Sequence, residues 1–287
     1  MAVRTERAER PQARKRFGQN FLEPVWADKV VAAIAPKADE AFIEIGPGPG
    51  ALTRPLAEAC ASLVACELDR DLAALLRDEA IPRVRIVEGD FLKLPLDTLR
   101  DTLAEHAPGA TQFRVAGNLP YNVASPIMFR LIDLHRQGLA LTDATIMLQR
   151  EVADRLLAST GTSDYSLLTV LVGHRAKVTR LLNLPPGAFR PAPKVHSAVV
   201  RLAFHEPQPP VASERVLAAV TSAVFSRRRK TMGNALQAYG QIGSQEAAAL
   251  LQQAGIDPVR RPETLSIAEF ARVADLVAAR GSEIPPE

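Results

Sequence analysis

The sequence predicts an α/β fold: a parallel sheet with helices on both faces, followed by a small all-helical C-terminal domain. Three observations predict it. Between about residues 41 and 204, short β-rich apolar runs alternate with stretches of helical spacing. A proline-rich break follows at 206–210. Beyond that break, Ser213–Ala279 reads as helix throughout.

In chain order, Ala41–Ile45, Ser62–Glu67, Val84–Val87, Phe113–Ala116 and Ala144–Leu148 are apolar runs bounded by Gly, Asp or Asn. Between them, residues such as Leu72, Leu75 and Leu76 recur at helical spacing. Two more strands are expected at Ala176–Leu182 and Ser197–Phe204. The short proline-rich Leu184–Lys194 joins them, which suits an antiparallel pair at a sheet edge. Glu206–Pro210 reads as a linker, so the expected domains are 1–205, with a basic tail at 1–16, and 206–287. Ser213 and Ser266 are the expected helix N-caps.

Composition bounds the class. The 287 residues are 47% hydrophobic and 23% charged, which argues against disorder. No apolar run approaches the ~18 residues of a membrane helix, and the basic N-terminus has no apolar stretch behind it. The two cysteines, Cys60 and Cys66, build no disulfide framework and read as buried apolar residues. The five histidines, His106, His135, His174, His196 and His205, show no ligand spacing, so no metal is expected. A cytoplasmic protein with no membrane association is expected.

The net charge of +3 hides a segregation. Residues 1–16 carry +4, 17–173 carry −7, 174–230 carry +9 and 231–287 carry −3. A basic tail and a basic band beside an acidic body suit a polyanionic partner as well as a solvated surface. The run Arg227-Arg228-Arg229-Lys230 favours nucleic acid, because four successive cations repel one another without counter-charge.

Glu44-Ile-Gly46-Pro-Gly48-Pro-Gly50 follows the first of these strands and opens a helix, as a nucleotide-binding loop does. Pro47 and Pro49 lack the N–H groups that hold a pyrophosphate, which points away from NAD. Glu67 ends the next strand, where a carboxylate accepts from ribose hydroxyls. Asp90 ends the third, where it accepts from an adenine amino group. S-adenosylmethionine, a cation without phosphates, fits these acceptors.

Gly117-Asn118-Leu119-Pro120-Tyr121 closes the fourth strand. Asn-Leu-Pro-Tyr is similar to the tetrapeptide of amino-methyltransferases that act on bases. An exocyclic amine is a poor nucleophile because its lone pair is delocalised. The Asn118 side-chain oxygen and the Leu119 carbonyl supply two acceptors that favour a pyramidal nitrogen. Pro120 stiffens the turn and Tyr121 stacks on the base. Positioning then carries most of the rate.

These motifs together resemble the rRNA adenine dimethyltransferases of the KsgA type. The likeness runs from Arg14–Leu22 through Glu44–Gly50, Glu67–Arg70, Gly89-Asp90, Gly117–Tyr121 and Leu148–Val152 to Phe189–Ser197 and Arg228–Thr231. The resemblance implies a Rossmann-like methyltransferase domain and a small helical domain. It also implies transfer of four methyl groups, during ribosome biogenesis, to two adjacent adenosines near the 3′ end of small-subunit rRNA. Cofactor contacts carry over to Asn20, Leu22, Gly46, Glu67, Asp90 and Asn118. Phe189 takes the place of an aromatic beside the target base, as a catalytic residue with Asn118, Leu119, Pro120 and Tyr121. Arg14, Lys15, Arg16, Lys194, Arg227, Arg228, Arg229 and Lys230 are the expected rRNA contacts. A monomer working on the small ribosomal subunit is expected. Two alternatives stay open: a large-subunit rRNA methyltransferase of the antibiotic-resistance type, and a non-catalytic assembly factor. A DNA adenine methyltransferase fits less well, since no separate target-recognition segment is evident.

Overall fold

The structure is a computed structural model and describes residue 14, residues 18–240 and residues 242–280. In chain order its elements are β1 (Phe21–Leu22), α1 (Pro24–Ile34), β2 (Ala41–Ile45), α2 (Thr53–Ala59), β3 (Ser62–Glu67), α3 (Arg70–Glu79), β4 (Val84–Glu88), α4 (Leu96–His106), β5 (Phe113–Asn118) and α5 (Ala124–Arg136). They continue with β6 (Leu141–Gln149), α6 (Arg150–Leu156), α7 (Leu167–Gly173), β7 (Ala176–Leu184), β8 (Phe189–Arg190), β9 (Ser197–Phe204), α8 (Glu214–Ser226), α9 (Met232–Ala235), α10 (Ser244–Gln253) and α11 (Ile267–Ala279).

Seven strands form one sheet in the order β4-β3-β2-β5-β6-β9-β7. The first five pair in parallel, so their carboxyl ends lie along one edge. Every residue of β2 and β3 is buried, as expected of central parallel strands covered on both faces. The fold is Rossmann-like, as expected. The sequence pattern missed β1 and β8, which pair antiparallel with Leu22 opposite Phe189. Strands of two residues carry no readable period.

The chain divides into two compact units, and the division differs from the expected boundary between 205 and 206. One unit holds the described residues up to Gln149 together with Leu181–Val200; the other holds Arg150–Arg180 and the described residues from Arg201 onward. The reason is burial. Tyr165 and Val170 lie in the same apolar core as Val216, Val220, Leu236, Phe270 and Val277. The segment that joins β6 to β7 therefore belongs to the helical core.

Within the helical unit both expected N-caps are present. Ser213 Oγ accepts from the Val216 N–H at 3.3 Å. Ser266 and Glu269 form a capping box, with Ser266 N–H donating to Glu269 Oε2 at 2.8 Å. No helix of the described residues is long and apolar enough to cross a membrane.

Candidate active site

A cavity of about 210 Å³ opens at the carboxyl ends of β2, β3, β4 and β5. This is where ligands bind in open α/β sheets. Asn20, Leu22, Gly46, Glu67, Asp90, Asn118, Leu119, Pro120 and Tyr121 all line it. Segments far apart in sequence thus converge on one site.

The glycine loop is closed to phosphate. Gly46 N–H donates to the Cys66 carbonyl, Gly48 N–H to Glu67 Oε2 and Gly50 N–H to the Pro47 carbonyl, each at 2.9 Å. Pro47 and Pro49 have no N–H to offer. Every backbone donor from Gly46 to Gly50 is thus absent or engaged. Gly48 and Gly50 have φ of +58° and +87°, a region that side chains avoid. A Cβ at Gly50 would also lie 2.8 Å from Arg54 Nη1 and 2.9 Å from Leu76 Cδ2.

Glu67 is buried, with 5% of its surface exposed. Its Oε2 takes the Gly48 N–H and its Oε1 takes the Asp69 N–H at 2.8 Å. A carboxylate has about four acceptor positions, so capacity remains for a ligand. Burial, aided by the nearby Asp69 charge, pushes the Glu67 pKa up, and the backbone N–H groups of Asp69, Gly48 and Leu68 pull it back in part. Asp90 is partly exposed, and its Oδ1 accepts from the Leu92 N–H at 3.0 Å.

Asn118, the last residue of β5, donates through Nδ2 to the Asn20 carbonyl at 2.8 Å. That bond fixes the amide plane. Asn118 Oδ1 accepts no hydrogen bond among the described residues, so it stands as an acceptor beside the Leu119 carbonyl. Tyr121 Oη is hydrogen-bonded to Ser197 Oγ at 2.6 Å, and burial holds the phenol pKa above its ordinary value.

These residues fit S-adenosylmethionine. The loop offers no phosphate donors, two carboxylates line the cavity, and Glu44 adds a buried carboxylate oxygen with no partner. Sequence reasoning placed Glu44 in the loop motif but gave it no role. The signal was present, since a lone acid interrupts the apolar β2 run Ala41–Ile45. Leu68 was also missed. It follows Glu67, lines the cavity and is 49% exposed, an apolar surface suited to a flat ring.

Several expected contacts are not where the sequence put them. Phe189 does not line the cavity. Its pairing with β1 leaves it 2% exposed, within the apolar cluster of Leu22, Val30 and Leu56. Arg14 is bound to Asp69 at 3.0 Å and to Asp71, so acidic partners already occupy its guanidinium. Arg228 donates to the carbonyls of Thr162, at 3.3 Å, and Ser163, and lies 3.9 Å from Glu263. Lys194, Arg227, Arg229 and Lys230 are exposed. Lys15 and Arg16 lie outside the described residues. Cys60 and Cys66 are buried free thiols, pushed up by burial to about 11 and about 12.

The family model described as ribosomal RNA adenine dimethylase matches residues 10–279. The chain is 42% identical over 272 residues to a protein of Aromatoleum aromaticum named ribosomal RNA small subunit methyltransferase A, covering 94% of this chain and 96% of that one. A protein of the same name from Escherichia coli is 40% identical over 270 residues, covering 93% of each. Among solved structures, a dimethyladenosine transferase from Plasmodium falciparum shares the fold with a TM-score of 0.74. It is 23% identical and covers 91% of this chain and 98% of that one.

Proposed function

This chain belongs to the ribosomal RNA adenine dimethylase family, and on that premise we propose that it dimethylates two adjacent adenosines near the 3′ end of small-subunit rRNA. The observation that carries the chemistry is the bond from Asn118 Nδ2 to the Asn20 carbonyl. It leaves Oδ1 as the acceptor for one N–H of the target amine, and the Leu119 carbonyl takes the other. Two acceptors draw the nitrogen towards a pyramidal shape and make its lone pair available, an advantage that grows towards the transition state. Tyr121 supplies a ring face for the base. When bound, S-adenosylmethionine supplies a methyl group already activated by its sulfonium. Glu67 then orients the ribose, Asp90 accepts from the cofactor's adenine amine, and the phosphate-blind loop rejects dinucleotides.

The small subunit is favoured as substrate by the names of relatives at 40–44% identity over nearly the whole chain. Exposed Lys194, Arg227, Arg229 and Lys230 suit contact with the rRNA backbone. The same reading sets the enzyme in the cytoplasm, acting as a single copy on each subunit. Labelled-methyl transfer to unmodified small subunits, large subunits and naked duplex DNA, run in parallel, tests it. Dimethyladenosine in small-subunit rRNA alone is the expected result. Labelling of large subunits would move the antibiotic-resistance reading to first place. A chain that binds small subunits but transfers nothing would be an assembly factor.

A further inference from the structure

Glu44 sits mid-sheet on β2, opposite Ala65 of β3 and Ala116 of β5. It is 1% exposed and lines the cofactor cavity, and its Oε2 is buried without a hydrogen-bond partner. A carboxylate in that position would be an uncompensated buried charge, which is costly unless it is neutralised or paired.

The surroundings do not pair it. From β3 come Glu67, which repels a second negative charge, and Cys66, a buried neutral thiol. From α2 comes Arg54, but its guanidinium is engaged with Glu79 through two hydrogen bonds of 2.6 Å and with the carbonyls of Pro49 and Gly50. Thr53 turns a buried hydroxyl towards the carboxyl, a neutral group that eases the burial only in part and makes no well-formed hydrogen bond to it. From β5 the facing residue is Ala116, which carries no charge. Burial, reinforced by Glu67 and offset in part by Thr53 and Arg54, raises the Glu44 pKa to about 8. At neutral pH the side chain is therefore mostly the neutral acid.

We propose that Glu44 is a proton-coupled counter-charge for the cofactor: it gives up its proton to solvent when a sulfonium cation enters the cavity, and regains one when the sulfur is neutral. The inference rests on the S-adenosylmethionine reading above and deepens it. An incoming cation favours the charged form of a nearby acid. Affinity for the cationic cofactor then rises with pH until the free-protein acid has ionised, and is flat above that. The demethylated product, whose sulfur is a neutral sulfide, lacks this advantage. Glu44 thus sets how well the site distinguishes cofactor from spent product, and so acts as a positioning charge at a distance from the transferred methyl.

Isothermal titration calorimetry on the full chain tests this, in buffers of different ionisation enthalpy near pH 7, with S-adenosylmethionine and with S-adenosylhomocysteine. The wild type should release a large fraction of a proton with the first ligand and markedly less with the second. Its affinity for the first should climb by up to about tenfold per pH unit below pH 8 and then level. Glu44→Gln, an isostere of the neutral acid, should bind both ligands with no proton release beyond that of the ligand's own amine, which both proteins share. Equal proton counts for wild type and variant, or for the two ligands on the wild type, would overturn the proposal. The two-ligand comparison on wild type needs no variant to fold. No binding of S-adenosylmethionine by the wild type would instead defeat the cofactor reading itself.

Discussion

Tyr121 Oη and Ser197 Oγ are 2.6 Å apart, and Ser197 has no exposed surface. The ring that follows Pro120 is thus held at both ends, by the backbone turn and by the first residue of β9. We expect Ser197→Ala and Tyr121→Phe each to lower methyl transfer by about 2- to 10-fold, as loss of one hydrogen bond worth ~0.5–1.5 kcal/mol implies. The double variant should be no worse than either single one, because both remove the same bond. Additive losses in a kinetic cycle would break that link.

Asn118→Ala should cost on the order of 10²–10³ in single-turnover transfer at saturating cofactor, by analogy with loss of one preorganised polar group elsewhere. Affinity for RNA should change little, since phosphates supply most of it. Asn118→Asp keeps an oxygen but loses the donor to the Asn20 carbonyl, so it should not restore the rate. Wild-type transfer by the alanine variant would remove the amine clamp.

Glu67→Ala should weaken S-adenosylmethionine binding by about 1.5–3 kcal/mol, the range for hydrogen bonds to a charged group. The side chain also holds the Gly48 and Asp69 N–H groups, so the melting temperature should fall as well. Calorimetry and thermal melts on one preparation separate the two effects. Unchanged affinity would take Glu67 out of the site.

Among the four cations at 227–230, Arg228 should behave differently from its exposed neighbours. Replacing exposed Arg229 or Lys230 by Ala should lower the log–log salt slope of rRNA binding by roughly one unit for each phosphate no longer neutralised. Arg228→Ala should act mainly on stability, because its guanidinium holds the Thr162 and Ser163 carbonyls. A full unit off the slope in Arg228→Ala, with no change in melting temperature, would reverse that assignment.

Glu44 also makes stability depend on pH. Its pKa is near 4.5 in an unfolded chain and about 8 in the folded one. Between those values the folded state binds the extra proton, so the contribution to stability is greatest below 4.5 and declines as pH rises towards 8. In Glu44→Gln this decline should be smaller. Melts of both proteins from pH 5 to pH 8.5 check it; parallel curves would mean that Glu44 ionises normally in the folded chain.

The central parallel strands were readable as buried apolar runs stopped by Gly, Asp or Asn. The edge strand β4, where only Ile86 is buried, was readable by its β-branched residues and the Gly89-Asp90 that follows. That same punctuation placed Glu67, Asp90 and Asn118 at one sheet edge. What the pattern could not carry was pairing between distant short segments. Leu22 meets Phe189 only through a two-residue ladder, and that pairing draws the aromatic ring into the core. Charge counting likewise cannot separate Arg228 from Arg229, because the difference lies in which carbonyls the folded chain brings near. Val170 lies between two expected strands, and nothing local marks it as part of the helical core, because its partners Val216 and Phe270 lie far along the chain.

The order in which a ribosome would release this chain follows from its two interleaved units. The first cannot close when Gln149 emerges, because Leu181–Val200, with Ser197 and Phe189, is still to come. Meanwhile Tyr165 and Val170 wait with their apolar faces unmatched until Phe270 and Val277 have been made. A stop codon after 205 would therefore leave a hydrophobic orphan at 150–180, not a clean catalytic fragment. Any dissection of this protein has to excise an internal segment and rejoin the ends, because neither half can be cut away at a single point.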